Sequence, residues 1–276
     1  MRPAAVAGSF YLAPEGALRA QVAALLAAAQ PRLDALPALA TWPKAYLLPH
    51  AGYIYSGSTA ALGYAALARH AAAVADAGRP IRRVVLLGPT HRVAVDGLAL
   101  PVCDAFQTPL GQVGVEQLDA TTRAAFPQLV DSAAAHAQEH SLEVHLPFLQ
   151  TVLPEAVVVP LAVGRAEPDA VAEVIDGLWD GPQTVLVVSS DLSHFHRHEE
   201  AVAIDSATVA QVLRLDGPIS HEQACGATPL NGLLVTARRR GMTAQELGRC
   251  TSGDTAGDRR RVVGYAALAF TEPPTH

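Results

Sequence analysis

Apolar residues along this chain alternate between short unbroken runs and longer stretches where they recur every three or four positions. That alternation is what strands interleaved with helices produce, so it predicts an α/β fold with a mostly parallel or mixed central sheet flanked by helices. The unbroken runs fall at 45 to 48, 83 to 87, 157 to 163, 184 to 188 and 262 to 270. They are rich in Val and Leu and short for buried helices, which predicts strands covered on both faces. A helix is predicted from Pro14 to about Gln30, with Leu18, Val22, Leu25 and Leu26 on one face, and Pro31 and Pro37 bound the loop after it. An alanine-rich helix follows Gly57 and runs to about Ala75. Further helices are predicted over 115 to 125, 141 to 153, 168 to 179 and 198 to 213, and from beyond Gly226 to Arg240. In the second of these Leu142, Leu146, Leu149 and Leu153 make one stripe. A strand around Val95 to Val102, a hairpin over Phe106 to Val113 and a frayed tail from Thr271 to His276 complete the reading.

Composition narrows the class. With 276 residues, half of them hydrophobic, the chain can bury a large core, and a single domain is expected. The net charge is −6 and Lys44 is the only lysine, which argues against a nucleic-acid partner. The cluster Arg238-Arg239-Arg240 is read as solvating a helix end. Cys103, Cys225 and Cys250 form no Cys-x-x-Cys and are odd in number, so neither a disulfide framework nor a zinc ribbon is expected, and a reducing cytosol fits. Pro3, Pro14 and Glu15 interrupt the opening apolar segment too early for a signal peptide, and no uncharged run reaches the ~18 residues of a membrane span. The expectation is a soluble cytoplasmic protein with no membrane partner.

Chemistry gathers at the ends of the strands. Leu47-Leu48-Pro49-His50-Ala51-Gly52-Tyr53 is a buried run ending in a histidine and a glycine turn, and Gly88-Pro89-Thr90-His91 repeats the design. Ser189-Ser190-Asp191-Leu192-Ser193-His194 follows a third run. Parallel topology brings such carboxyl-end residues to one crevice, where α/β sheets bind ligands. Cys225 lies in a small-residue turn before a helix, a place that favours the thiolate. Two imidazoles and a thiolate suit iron(II), copper or zinc and leave open positions for a small substrate. Taken singly, each histidine reads more readily as a hydrogen-bonded loop residue and Cys225 as a small buried hydrophobe, and only the three strand-end histidines together weigh against that. In Glu139-His140-Ser141-Leu142-Glu143-Val144-His145 the histidines are five apart, one too many for a zincin helix. Glu139, His140 and Glu143 are read as capping that helix or reaching the crevice behind the metal ligands. There is no Gly-x-Ser-x-Gly elbow and no phosphate loop.

These segments, with Arg2, Ala5-Val6-Ala7-Gly8-Ser9-Phe10-Tyr11, Tyr53-Ile54-Tyr55-Ser56-Gly57, Cys225-Gly226-x-x-Pro229 and Thr251-Ser252-Gly253-Asp254 to Val263-Gly264-Tyr265, resemble the Memo-like family, the B component of the AmmeMemoRadiSam group. The matches run in order along nearly the whole chain. The resemblance implies a fold similar to class III extradiol dioxygenases, with His50, His91 and Cys225 at the metal positions and His194 at the position of an acid/base histidine. Those dioxygenases use a carboxylate where this chain has Cys225, and the family pattern implies glutamine where it has His145. The leading expectation is a metal-dependent redox protein holding iron or copper and reacting with oxygen or a small molecule, with His194 and Asp191 as its catalytic pair. A second reading is a non-catalytic module that holds a peptide or partner protein in the same crevice through Tyr53 and Tyr55. A third is a hydrolase with Cys225 as nucleophile.

Overall fold

The structure is a computed structural model that describes residues 1–39, 41–179 and 181–274. In chain order its elements are α1 (Glu15–Asp34), β1 (Pro43–Leu48), α2 (Tyr53–Asp76), β2 (Arg83–Pro89), β3 (Leu98–Leu100), β4 (Ala105–Thr108), β5 (Gly111–Gly114), α3 (Ala120–Ala125), β6 (Leu129–Asp131) and α4 (Ala133–Ala137). They continue with a 3₁₀ turn (Glu143–His145), α5 (Leu146–Val152), β7 (Val157–Val163), α6 (Pro168–Leu178), β8 (Thr184–Ser189), β9 (His194–His196), α7 (His198–Leu213), α8 (Ala227–Arg239), β10 (Thr243–Thr251), a second 3₁₀ turn (Ser252–Asp254) and β11 (Val262–Thr271).

Among the described residues the main sheet runs β10-β11-β1-β8-β2-β7-β3-β6, with β9 on β11 and a separate β4-β5 hairpin. The four central strands β1, β8, β2 and β7 are mutually parallel, while β11 and β3 flank them antiparallel, so the sheet is mixed. Alternation within each central run fills two cores. Tyr46, Leu48, Val84, Leu86, Val185 and Val187 face one layer of helices, made of α1, α2 and α5. Ala45, Leu47, Val85, Leu87, Leu186 and Val188 face the other, made of α6, α7 and α8. The result is a single α/β domain of three layers, whose central strands end at one edge.

The strands expected from unbroken apolar runs are all present. Several boundaries differ for tertiary reasons. α1 continues past Pro31 because Leu33 is buried in the core and Arg69 bonds Gln30 and Asp34 across the gap to α2. α2 begins at Tyr53 rather than after Gly57, with the Tyr53 amide donating to the Phe10 carbonyl at 2.7 Å. Residues 115 to 119 do not join α3: the Glu116 amide pairs with the Val158 carbonyl at 2.9 Å, a sheet-edge contact. The strand around Val95 to Val102 shrinks to Leu98–Leu100. β10 is not among the expected strands, because its burial alternates weakly and it is held by its register with β11. β11 takes in Thr271, and of the expected tail Thr275 and His276 lie outside the described residues. Arg239 and Arg240, at the end of α8, are ion-paired with Asp169 and Asp176. No helix among the described residues is long and apolar enough to cross a membrane.

Candidate metal centre

The carboxyl ends of β1, β2 and β8 deliver His50, His91 and the Ser189-Ser190-Asp191 turn to one place. His50 and His91 ring centroids lie 5.2 Å apart, and His140 comes within 5.5 Å of the first and 4.5 Å of the second. One ring nitrogen from each of His50, His91 and His140 falls within 4.8 Å of the other two, a group that could hold a metal ion. Cys225 reaches the cluster from the amino end of α8, its Sγ 3.3 Å from His50 Nε2. Of the residues expected here, His50 and His91 stand side by side, Cys225 touches His50, and Asp191 accepts the His50 amide, while His194 is tied to the Leu192 carbonyl. His140 is closer in than its reading as a helix cap allowed. Its position depends on a fold of the chain at Glu139 that no local spacing announces.

Hydrogen bonds aim these rings. His91 Nδ1 is 2.8 Å from a Glu139 carboxylate oxygen, which can only accept, so Nδ1 is the donor and Nε2 is turned away from that bond. The same carboxylate accepts the amides of His91 at 2.6 Å, His140 at 2.9 Å and Ser141 at 3.0 Å. Burial pushes the Glu139 carboxyl up, yet these donors outweigh it and hold the pKa at about 2. His194 donates through Nδ1 to the Leu192 carbonyl at 2.8 Å, leaving Nε2 free. His50 is buried, and desolvation with the neighbouring histidines lowers its pKa far below the ordinary value, so it is neutral. A neutral imidazole with a free Nε2 is the form that ligates metal.

Asp191 accepts the His50 amide at 2.7 Å, so it anchors the His50 backbone. The Cys225 thiol, read as favouring thiolate beside a helix start, is instead pushed up to about 12 by burial and by the nearby Asp191 carboxylate. Burial itself raises Asp191 to about 7. Glu143 does not reach the crevice. It is buried, paired with Arg2, and accepts the amides of Ala5 at 2.8 Å and Val6 at 2.9 Å and the Tyr11 hydroxyl at 2.6 Å. That clasp explains the opening motif, since it lays Phe10 against His140 at 4.7 Å between ring centroids. Tyr53 is likewise buried, its hydroxyl donating to the Val144 carbonyl, so it is no rim residue. His196 sits on β9 opposite Val262.

Beside the cluster, a cleft of about 540 Å³ is lined by Thr90, His91, Arg165, His221, Cys225 and Thr228, among others. A somewhat larger hollow of about 640 Å³ lies by Trp42 at the opposite end of β1 and shares no residue with the cluster. The donors and the adjacent cleft, not size, single out the former. Gly226 is part of the same construction. A Cβ there would lie 2.5 Å from the Ser189 carbonyl oxygen and 2.6 Å from Ser190 Cβ. Gly226→Ala is expected to force Cys225 away from His50 and to lower stability by about 1–3 kcal/mol in urea unfolding; unchanged stability and metal content would refute the close-packing argument.

Buried neutral histidines also set an acid limit. His70 and His136 are held down to about 4 and His145 to about 3, each first by burial. These rings take up protons on unfolding between their ordinary value of 6.5 and those lowered values, so stability is whole above pH 6.5 and falls as the pH drops toward 4. His50, His140 and His194, lowered likewise, add to the loss, while Asp191 and Asp205, raised in the folded state, work in the opposite sense. A net loss of at least about 2 kcal/mol between pH 6.5 and 5 is expected from urea titrations, and a flat profile would contradict it.

A mixed three-layer α/β sheet with a histidine-rich cluster at the carboxyl edge of its parallel strands defines the class of protein. The chain belongs to the Memo-like family: the family model for Memo-like protein matches residues 2–269. A MEMO1 family protein of Sulfolobus acidocaldarius is 31% identical, covering 98% of this chain and 99% of its own length. Another, from Pyrobaculum arsenaticum, is 31% identical over the same shares. One from Methanopyrus kandleri is 35% identical over 80% of this chain and 81% of its own.

Proposed function

We propose that the protein holds iron(II) or copper between His50, His91 and Cys225, with His140 at the edge of the same set, and uses it in redox chemistry with oxygen or a small molecule admitted through the adjacent cleft. Zinc is chemically admissible to the same donors. The observation that carries this reading is the common orientation of the rings. His91 and His194 have Nδ1 tied back into the protein, and Cys225 Sγ lies against His50 Nε2. When bound, iron or copper supplies one-electron exchange that no side chain here can. The chain's own part is to position and to move protons. Glu139 and Asp191 hold His91 and His50 in place, burial excludes water around His50, and His194 keeps Nε2 available to take or give a proton. The three free cysteines suit a reducing cytosol, where we place the protein.

The 3.3 Å contact between Cys225 and His50 also has the geometry of a thiol nucleophile and its base. Burial holding that thiol protonated favours the metal reading, because ligation supplies what the site alone lacks for thiolate formation. The test is elemental analysis of protein purified without added metal, followed by anaerobic titration and oxygen-electrode rates with a reductant. His194→Ala is expected to keep near-normal metal content and to consume oxygen at least about tenfold more slowly, with His196→Ala close to neutral. Protein that takes up neither metal and consumes no oxygen would sink the reading and bring the peptide-binding module forward.

A further inference from the structure

A buried chain of hydrogen bonds runs from the core of the protein to His50. The Tyr64 hydroxyl is 2.8 Å from His145 Nδ1, and His145 Nε2 is 2.8 Å from Ser189 Oγ. The same oxygen is 2.7 Å from His50 Nδ1 and donates its own hydrogen to the Ser141 carbonyl at 2.6 Å. Tyr64, His145 and Ser189 are all shut off from solvent.

Counting hydrogens gives the chain a direction. The Ser141 carbonyl can only accept, so it claims the one hydroxyl hydrogen of Ser189. Both imidazole nitrogens facing Ser189 Oγ must then donate to it, which puts the proton of His50 on Nδ1 and that of His145 on Nε2. His145 Nδ1 is left as an acceptor, and the Tyr64 hydroxyl fills it. Every member is satisfied, and reversing any one would leave a buried polar atom without a partner. His50 Nε2 is thereby left as a lone pair facing Cys225.

We infer that Tyr64, His145 and Ser189 are positioning residues that lock His50 in its Nδ1–H tautomer and so present Nε2 to the metal. The inference rests on the metal-site reading for its consequence, but the tautomer itself is a property of the metal-free protein. His145 is the pivotal member. It needs one donor and one acceptor at opposite ends of a flat, buried side chain. A glutamine amide carries both, and a leucine carries neither.

The experiment is ¹⁵N NMR of histidine-labelled, metal-free protein, with the His50 signals identified as those missing from His50→Gln, alongside anaerobic iron(II) titration. The unmodified protein is expected to show a protonated Nδ1 and an unprotonated Nε2 at His50. In Ser189→Ala and His145→Leu the two nitrogens should move toward averaged values, with iron(II) affinity falling about ten- to a hundredfold. His145→Gln should restore both readouts, which a general loss of packing would not allow. A His50 that keeps its tautomer in Ser189→Ala, or an affinity within about twofold of the original, overturns the proposal. Should both disruptive variants fail to fold by circular dichroism, Tyr64→Phe decides: mixed His50 signals support the chain, and unchanged ones refute it. If the protein binds no iron(II) at all, the metal reading fails while the tautomer result still stands or falls by its own measurement.

Discussion

Replacing Cys225 with serine is expected to weaken metal binding by at least about a hundredfold, while Cys103→Ser and Cys250→Ser leave it within about twofold. A thiolate is a strong soft donor, whereas a serine hydroxyl stays protonated and ligates poorly. Cys225 stands 3.3 Å from His50 Nε2 and receives the Asp191 amide at 3.3 Å, so it is fixed in the crevice. Cys250 sits instead against the Thr59 hydroxyl at 3.1 Å. Inductively coupled plasma analysis after dialysis, with competition against a chelator, reads the difference. His140→Ala is the counterpart. It should cost less than Cys225→Ser, and the reverse order would mean that the three histidines form the ligand set and that the thiol is a neighbour. Equal occupancy in all three cysteine variants would leave Cys225 without a metal role.

The second large effect is structural. Glu143→Ala should destabilise the fold by about 3–5 kcal/mol, because it leaves the buried Arg2 guanidinium without its counter-charge. It also strips the acceptor from the amides of Ala5 and Val6 and from the Tyr11 hydroxyl. Arg2 keeps the His136 and Glu139 carbonyls and the face of Phe106, none of which carries a full negative charge. The double variant Arg2→Leu with Glu143→Leu should recover part of the loss, since removing both charges removes the unpaired one. Amide exchange at Ala5 and Val6 is expected to rise in Glu143→Ala, and with it access to His140 as Phe10 lifts away. Urea unfolding that shifts by less than about 1 kcal/mol would mean that the clasp contributes little and that the opening segment is held elsewhere.

Much of the fold is legible in local pattern. A run such as Val185-Leu186-Val187-Val188 buries every side chain, because alternate residues enter the two helix layers, and periodicity alone carries that information. β10 is not legible for the opposite reason: Thr243 to Thr251 has a sparse apolar pattern and becomes a strand only because β11 offers it an unpaired edge. The same division runs through the site. His50 and His91 are visible as histidines that end buried strands. Glu143 looks in sequence like a companion of Glu139 and His140, yet it turns the other way to hold the opening segment.

From sequence alone came the α/β class, the central strands and the meeting of His50 and His91 at one edge, because strand periodicity and chain direction are local properties and parallel order follows from them. The tertiary structure decided what each residue does there. It brought His140 in beside His91, turned Asp191 to the His50 backbone, kept the Cys225 thiol protonated by burial, and joined Tyr64, His145 and Ser189 into one chain behind His50. Those outcomes depend on burial and on hydrogen-bond partners up to 141 positions away in the chain, and neither quantity is written in any short stretch of it.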